Sequence, residues 1–391
     1  MKYRWKLMIL LLTISVVPIV GLRMFGIHNV HLMADALITQ VKKNQVDDQT
    51  SRLSGLILET IQDRVAGIEI MSAGFVLFLV LVTAVLALTF SRTVTKPLDA
   101  LTQAAQKLAE GDFKTRVDIR SKDEFGDMGR IFNSVGPQLE AHYRVRQSLD
   151  VANEIQQHLL PETPPQIPGL DIEGTALYSD EIGGDYFDYL CVEEEGQEKL
   201  CVAVGDVADH GIPSALLMAT ARGLLRLRAS MPGRLGDIVA DVNKAFVKDV
   251  EKSGRFMTLF WAQIDRGRKR MDWVSAGHDP AIIYDPTTDS FKNLEGKGMP
   301  LGVTADAEYE ASACEIEPGQ IIFISTDGIR ETRNENGDMF GKDRLLGILL
   351  QNAKETAHTI KGSILKAVTE FRGNKEQEDD LTLVVIKVTD Y

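Results

Sequence analysis

The stretch FMTLFWAQIDRGRKRMDWVSAG, Phe256 to Gly277, decides the fold class of this chain. Two runs of apolar, β-branched and aromatic residues flank a short basic segment, RGRKR, which is typical of a hairpin turn. A second pair of runs, AIIYD and SFKNL, flanks PTTD in the same way. Neighbouring hairpins favour antiparallel sheets over a parallel βαβ array.

Further strand-like runs and paired helical patterns surround these hairpins. The strand-like runs are DIEGTALYS, EKLCVAVGDVA, QIIFIST and LTLVVIKV. The helical patterns include IPSALLMATARGLLRLRAS followed by LGDIVADVNKAFVKDV, and KDRLLGILLQ followed by TIKGSILKAVTEF. Because the helices come in pairs between groups of strands, we expect them to cover the faces of the sheets, in an α+β domain.

Aspartates stand at the ends of several of these runs. Asp206 ends CVAVGD, Asp327 ends IIFISTDG, and Asp379 and Asp380 precede LTLVVIKV. A carboxylate beside an apolar run is costly unless it leaves the core or binds something. The neighbouring glycines suggest a rim at which backbone and carboxylates approach an ion, and Mg²⁺ or Mn²⁺ takes such oxygen ligands.

The segment EIGGDYFDYL, which contains Asp185, leaves two interpretations open. Gly-Gly-Asp on its own is more typical of a tight turn, because glycine tolerates positive φ and aspartate favours turns. The alternative is that backbone and carboxylate must both approach a metal ion or a phosphate closely.

Two apolar segments near the start of the chain predict membrane helices. Leu7–Ile27 is interrupted by Pro18 and Arg23, whereas Ile70–Phe90 has no charged residue. About 20 apolar residues cross the hydrocarbon core of a bilayer. A signal peptide is the alternative for the first segment, but a trustworthy cleavage site is missing and a second span follows, so we expect an uncleaved anchor.

Basic residues predict the orientation of these spans. Three precede the first span and two follow the second: Lys2, Arg4, Lys6, Arg92 and Lys96. By the positive-inside rule both flanks are cytoplasmic, and the short segment 28–69 lies outside.

Residues 91–143 carry two short apolar stripes at heptad spacing. The stripes consist of Leu98, Leu101, Ala105 and Leu108, and of Phe125, Met128, Phe132, Val135 and Leu139. Two helices this short cannot bury the stripes alone, which predicts a homodimer with a parallel four-helix bundle. With Pro97, EGDF and DEFG after a membrane span, the segment resembles a HAMP domain, which implies a signal relay. An ordinary exposed helical hairpin is the alternative.

Residues 144–391 contain a series of motifs in a characteristic order. They are ANEIQQHLLPETPP, EIGGDYFDYL, VAVGDVADHGIPSALLMATARGLLR, GMPLGV, IIFISTDGIRETRNENGDMFG and EDDLTLVVIKV. This module resembles the PPM-type serine/threonine phosphatases, in the bacterial branch typified by SpoIIE and RsbU. The resemblance implies an α-β-β-α sandwich of two antiparallel sheets flanked by helices. A diguanylate cyclase is disfavoured, because Tyr186-Phe187 replaces the Glu-Phe expected after Gly-Gly-Asp.

The resemblance also implies a site for two divalent cations, Mn²⁺ or Mg²⁺, at one end of the sandwich. Carried over by motif, the catalytic pair is Asp185 and Asp206, and the metal ligands are Asp185, Asp206, the carbonyl of Val207, Asp327 and Asp379. Asp380 is the weaker candidate of its pair. Two positions depart from the branch: Ala208-Asp209 replaces the common Ser-Gly, and Asp279 replaces the usual Asn.

We therefore expect a multi-pass protein of the bacterial cytoplasmic membrane, with segments 1–27, 28–69, 70–90, 91–143 and a cytoplasmic phosphatase domain 144–391. The resemblance implies that it hydrolyses phosphoserine or phosphothreonine on a regulatory protein such as an anti-sigma-factor antagonist. The net charge of -13 makes nucleic acid an unsuitable partner, and the three cysteines lack zinc-like spacing. The alternative is a catalytically weak, metal-binding, signal-gated docking module.

Overall fold

The computed structural model describes residues 2–43, 48–194, 197–265 and 267–389, which divide into two units, Met1–Arg144 and Val145–Tyr391. The first unit is built from helices: α1 (Lys2–Lys43), α2 (Asp48–Phe90), a π-helical turn (Ser91–Thr95), α3 (Lys96–Ala109) and the start of α4 (Glu124–Leu159). The windows Val16–Ala36 and Gly55–Ala109 are long and apolar enough to cross a membrane by length and composition. Both overlap the expected spans.

A small apolar cluster joins α3, α4 and the segment between them. Leu101 and Ala104 of α3 are buried against Val117, and Ile119 and Phe132 pack beside them. The Asn133 side chain fixes this segment, because it both accepts from the amide of Val117 and donates to its carbonyl, each at 2.9 Å. Other members of the predicted stripes, namely Leu98, Met128 and Leu139, remain about half exposed in the single copy.

The second unit contains two antiparallel sheets. The strands of the described residues are β1 (Leu170–Leu177), β2 (Tyr186–Glu194), β3 (Gln197–Val207), β4 (Met257–Asp265), β5 (Arg270–Ala276), β6 (Ala281–Asp285), β7 (Ser290–Leu294), β8 (Ser312–Glu315), β9 (Ile321–Ser325) and β10 (Leu381–Val388). One sheet has the order β1-β10-β9-β6-β7 and the other β2-β3-β4-β5-β8. The antiparallel prediction is confirmed.

Helices cover the outer face of each sheet. Helices α5 (Ile212–Ala229) and α6 (Leu235–Val250) pack on the second sheet, and α8 (Gly341–Gln351) and α9 (Ala357–Arg372) pack with the first. A one-turn helix, α7 (Gly328–Glu331), follows β9. The result is the expected α-β-β-α sandwich.

The run 383–386 of strand β10 is apolar on both faces of the strand. Val384 and Ile386 belong to the core between the sheets, whereas Leu383 and Val385 belong to the core under α8 and α9. Successive side chains of a strand point to opposite faces, so a strand buried on both faces loses the alternation of an exposed sheet. Both hairpins form as predicted, although Arg266 in the first turn lies outside the described residues.

Candidate metal centre

The loop before β2 packs closely against the end of β3. A Cβ atom on Gly184 would lie 2.9 Å from the carbonyl oxygen of Val207 and 3.0 Å from Cβ of Ser214. A Cβ atom on Gly183 would clash with the Tyr178 ring and the Asp380 carboxylate. Neither glycine has a positive φ. Close approach, and not a left-handed turn, therefore explains Gly-Gly-Asp.

Asp185 is held at the point where the two sheets meet. Its side chain is 1% exposed, and the hydroxyl of Thr326, just after β9, donates to its Oδ2 at 2.8 Å. Burial raises the pKa of Asp185 well above its ordinary value, and the charges of Asp206 and Asp380 raise it further. The carboxylate is thus positioned, and no basic side chain of the described residues forms an ion pair with it.

Asp206 on β3 completes an acidic cluster with Asp327 and Asp379. Burial raises the pKa of Asp206 to about 7, and the charges of Asp327 and Asp379 add to the effect. The pKa of Asp379 rises to about 6, mainly through loss of hydration and also through Asp327. Within the described ranges, no basic side chain forms an ion pair with these carboxylates.

Asp380, unlike its neighbour Asp379, accepts hydrogen bonds from the loop before β2. Its Oδ1 accepts from the amide of Ser179 at 2.8 Å, and its Oδ2 accepts from the amide of Gly184 at 2.9 Å. These bonds fix the loop that carries Asp185. Because backbone amides use both oxygens of Asp380, Asp379 is the better placed of the two for an ion.

The donor set fits hard divalent cations by its chemistry. Four carboxylates and the Val207 carbonyl are the oxygen ligands that Mg²⁺ and Mn²⁺ prefer. In the part of the chain that the structure describes, no three His, Cys, Asp or Glu side chains already close around one position as a metal group. The predicted ligands thus share one end of the sandwich without a preformed cage.

Two histidines near the cluster have separate roles. His278 is buried, its Nδ1 lies 2.9 Å from the hydroxyl of Thr258, and burial lowers its pKa to about 4. That supports a neutral structural histidine. His210 is exposed, and its Nδ1 lies 2.7 Å from Oδ2 of Asp180, whose carboxylate raises the pKa of the imidazole.

The two acidic residues that depart from the branch pattern, Asp209 and Asp279, both pair with arginines. Asp209 adopts a left-handed φ of 69°, and its Oδ2 lies 3.3 Å from Nε of Arg255. Asp279 forms an ion pair with Arg330. The amide of Arg330 donates to the carbonyl of Asp327, which lies three residues earlier. The added negative charges are therefore offset locally.

Gln156 is a contact of the site that the sequence analysis did not identify. Its Nε2 donates to the carbonyl of Gly183 at 2.7 Å, and its Oε1 accepts from the amide of Gly183 at 3.2 Å. The side chain is 5% exposed. The available signal was a glutamine on the apolar side of ANEIQQHLL, but its partner is a backbone group in a distant segment.

Family models match two parts of the chain. Residues 196–389 match the model of stage II sporulation protein E (SpoIIE), and residues 89–136 match the HAMP domain. The chain is 28% identical over 246 residues to phosphoserine phosphatase RsbU of Bacillus subtilis, covering 62% of this chain and 70% of RsbU. It is 24% identical over 375 residues to protein IcfG of Synechocystis, covering 85% of this chain and 58% of IcfG.

Solved structures share the fold of the second unit. The PP2C domain of SiaA from Pseudomonas aeruginosa aligns with a TM-score of 0.55 and 23% identity, over 63% of this chain and 98% of that one. The RsbU and RsbW domains of Rv1364c from Mycobacterium tuberculosis align with a TM-score of 0.50 and 24% identity, over 57% and 61%. These likenesses support the sandwich architecture.

Proposed function

We propose that this chain, a SpoIIE-type protein serine/threonine phosphatase with a HAMP domain ahead of its catalytic domain, uses two divalent cations to dephosphorylate a regulatory protein. The main support for this proposal is the cluster of Asp185, Asp206, Asp327 and Asp379, which has no basic partner among the described residues. Such a cluster is strongly destabilising unless cations or protons offset its charge.

The proposed ligands are those four carboxylates and the Val207 carbonyl. Mn²⁺ or Mg²⁺ held there would supply positive charge to a phosphate dianion and make water a better nucleophile at neutral pH. The chain itself orients the carboxylates: Thr326 fixes Asp185, and Asp380 fixes the loop around Gly184. This loop packs closely on Val207, and Asp185 is 1% exposed.

The proposed substrate is phosphoserine or phosphothreonine on a folded regulator. RsbU and RsbP of Bacillus subtilis, which this chain resembles at 28% and 22% identity, are both named phosphoserine phosphatases. By that relationship we propose an anti-sigma-factor antagonist as the substrate class. The chain spans 58% of RsbP, so its own substrate is a matter for experiment.

The HAMP domain and the apolar helices indicate a membrane-associated protein. We propose that both spans insert, that segment 28–69 lies outside, and that the domain from residue 144 faces the cytoplasm as part of a homodimer. The signal would reach the metal centre through the contact of Gln156 with Gly183, because that loop also carries Asp185.

The test is phosphate release by the full-length chain in lipid bilayers with Mn²⁺. We would assay a panel of phosphoserine-bearing anti-sigma-factor antagonists with the unmodified chain, with Asp206→Asn and with chelator. Asp237→Asn is the matched control, because Asp237 is on the surface of α6 and pairs with Arg234. Turnover that needs both the metal and Asp206 supports the proposal.

Two results would count against it. Phosphate release that survives Asp206→Asn or chelation would remove the proposed metal centre. Tight Mn²⁺ binding without turnover of any panel member would favour the docking module.

A further inference from the structure

The segment 207–211 lies between two groups of exposed apolar side chains. The amide of Ala208 donates to the carbonyl of Phe256 at 2.9 Å, and the hydroxyl of Ser214 donates to the carbonyl of Ala208 at 3.2 Å. Ala208 directly follows the proposed ligand Val207. It therefore links the metal centre to the segment before β4 on one side and to the start of α5 on the other.

The first group comprises Phe256, Met299 and Val303. Leu301, which lies between the last two, exchanges backbone hydrogen bonds of 2.9 and 2.8 Å with Met257. That pairing brings residues 299–303 alongside Phe256 and the segment 207–211. The three side chains are 38% to 54% exposed, whereas Met257 and Leu301 themselves are fully buried.

The second group comprises Ile212 and Leu216 on the first turns of α5. They are four residues apart and so lie on the same helix face, with exposed fractions of 48% and 64%. Ser214 and Ala215, between them, are buried. Helix α5 thus presents apolar groups to solvent immediately after the segment 207–211.

The charges beside these groups are paired. Arg255 precedes Phe256 and lies 3.3 Å from Asp209, while Arg330 pairs with Asp279 across the loop after β5. Exposed apolar side chains with arginine ion pairs beside them have the composition of a protein interface, in which polar residues surround an apolar centre. Exposed apolar patches that are rimmed by polar residues mark interaction sites.

We infer that the folded phosphoprotein substrate docks on a surface made of five exposed apolar residues. This surface, here called the apolar rim, consists of Ile212, Leu216, Phe256, Met299 and Val303. The inference rests on the proposed function, because the rim adjoins the metal centre at which the phosphoserine must react. A partner that fits carries its phosphoserine at the edge of an apolar face. The rim therefore selects the fold around the phosphoserine, and the metal centre selects the phosphate.

The experiment compares three substrates with the full-length chain in bilayers and Mn²⁺. They are p-nitrophenyl phosphate, the antagonist of the panel that is hydrolysed fastest, and a 12-residue phosphopeptide containing its phosphoserine. The variant is Leu216→Ser combined with Val303→Ser, which removes apolar surface without adding charge near the metal. The control is Leu227→Ser, which changes a leucine that is 60% exposed on the same helix, about 16 Å further along its axis.

We expect the variant to raise KM for the folded antagonist roughly tenfold, as loss of well-placed interface side chains does. Its kcat/KM for the peptide and for p-nitrophenyl phosphate should equal that of the control. Unchanged kinetics with the antagonist would overturn the inference, and so would an equal loss with all three substrates. An altered oligomeric state with unchanged KM would assign the rim to a second copy of the chain. If the unmodified chain releases no phosphate from any of the three substrates, the proposed function fails, and the inference fails with it.

Discussion

At the scale of single residues, the candidate metal centre is a group of carboxylates, two of which combine burial with a raised pKa. Burial raises the pKa values of both Asp185 and Asp206. The charge of Asp206 adds to the rise at Asp185, and the charges of Asp327 and Asp379 add to the rise at Asp206. A raised pKa means that the folded chain binds a proton more tightly than the unfolded chain does. The contribution of that proton to stability is therefore present at low pH and lost as the pH rises.

This predicts an unusual pH dependence for the metal-free protein. The pKa of Asp206 rises from 3.8 to about 7, so its stabilising contribution is complete below pH 3.8 and disappears as the pH passes about 7. We expect the Tm of the metal-free chain to fall between pH 5.5 and 7.5, and the fall to be smaller in Asp206→Asn. Mn²⁺ binding requires the ionised carboxylates, so its affinity should increase over the same interval. Thermal unfolding with chelator and Mn²⁺ titration, both at several pH values, measure these two trends. A Tm that rises with pH equally in both proteins would contradict the assignment.

Individual site residues differed in how far the sequence revealed them. The strand-end pattern predicts Asp206, Asp327 and Asp379 as ligands, because a carboxylate next to a buried strand is costly unless it binds something. The same pattern did not separate Asp379 from Asp380, since both stand at the start of β10; the family motif favoured Asp379. The structure shows a physical difference, because backbone amides occupy the carboxylate of Asp380.

At the scale of elements, the last turns of α4 are tied to the loop before β2, which carries Asp185, and to α5. Gln156 exchanges two hydrogen bonds with Gly183, and the carbonyl of Leu159 accepts from Nε of Arg222 on α5 at 2.7 Å. Arg222 in turn lies 3.9 Å from the buried carboxylate of Asp188 on β2. A shift of these turns would therefore disturb both elements that flank the metal centre.

We predict that Gln156→Ala weakens Mn²⁺ binding and lowers stability. It leaves the amide and carbonyl of Gly183 without their partner in a buried place, which costs about 1 to 3 kcal/mol per unsatisfied group. Gln157→Ala is the matched control, because Gln157 is the next residue on the helix and is exposed. Denaturant unfolding and Mn²⁺ titration of both variants provide the comparison. Equal behaviour of the two variants would show that the contact of Gln156 does not support the loop.

Long apolar elements were predictable from the sequence, whereas short ones were not. The nine-residue β4 and the eight-residue β10 are buried almost throughout, so their largely apolar composition predicts buried strands. The sequence analysis predicted neither β8 nor α7, which have four residues each. Strand β8 lies at the edge of its sheet, and its residues alternate between exposed and half-buried. A short edge strand depends on its neighbour β5 for its conformation and carries little pattern of its own.

At the scale of the whole molecule, the first unit exposes apolar side chains of the predicted heptad stripes. Leu98, Met128 and Leu139 follow the predicted heptad stripes and are 41% to 51% exposed, whereas Leu101 is buried within the copy. Helices with a/d residues exposed in isolation bury them by association in a coiled coil. This is the physical basis for the expected homodimer.

We predict that Leu139→Cys forms a disulfide between two copies of the full-length chain in bilayers under mild oxidation. In a parallel dimer, equivalent a/d residues of the two chains face each other across the axis. Gln138→Cys, at the adjacent exposed position, should cross-link much less, and the unmodified chain sets the background from exposed Cys191. Non-reducing electrophoresis measures the yields. Comparable yields at positions 138 and 139 would exclude the predicted interface.

The place of β10 has a consequence for synthesis on the ribosome. This strand is the last in chain order, yet it lies between β1 and β9 and follows directly on Asp379 and Asp380. Its pairing with β1 joins residues about two hundred positions apart, as in Leu170 with Val388. Such distant pairing makes folding slow relative to local helix formation. A nascent chain can therefore form its helices and the whole second sheet while it still lacks the middle of the first sheet. The acidic cluster is complete only once Asp379 has been added, after every other strand of the described residues.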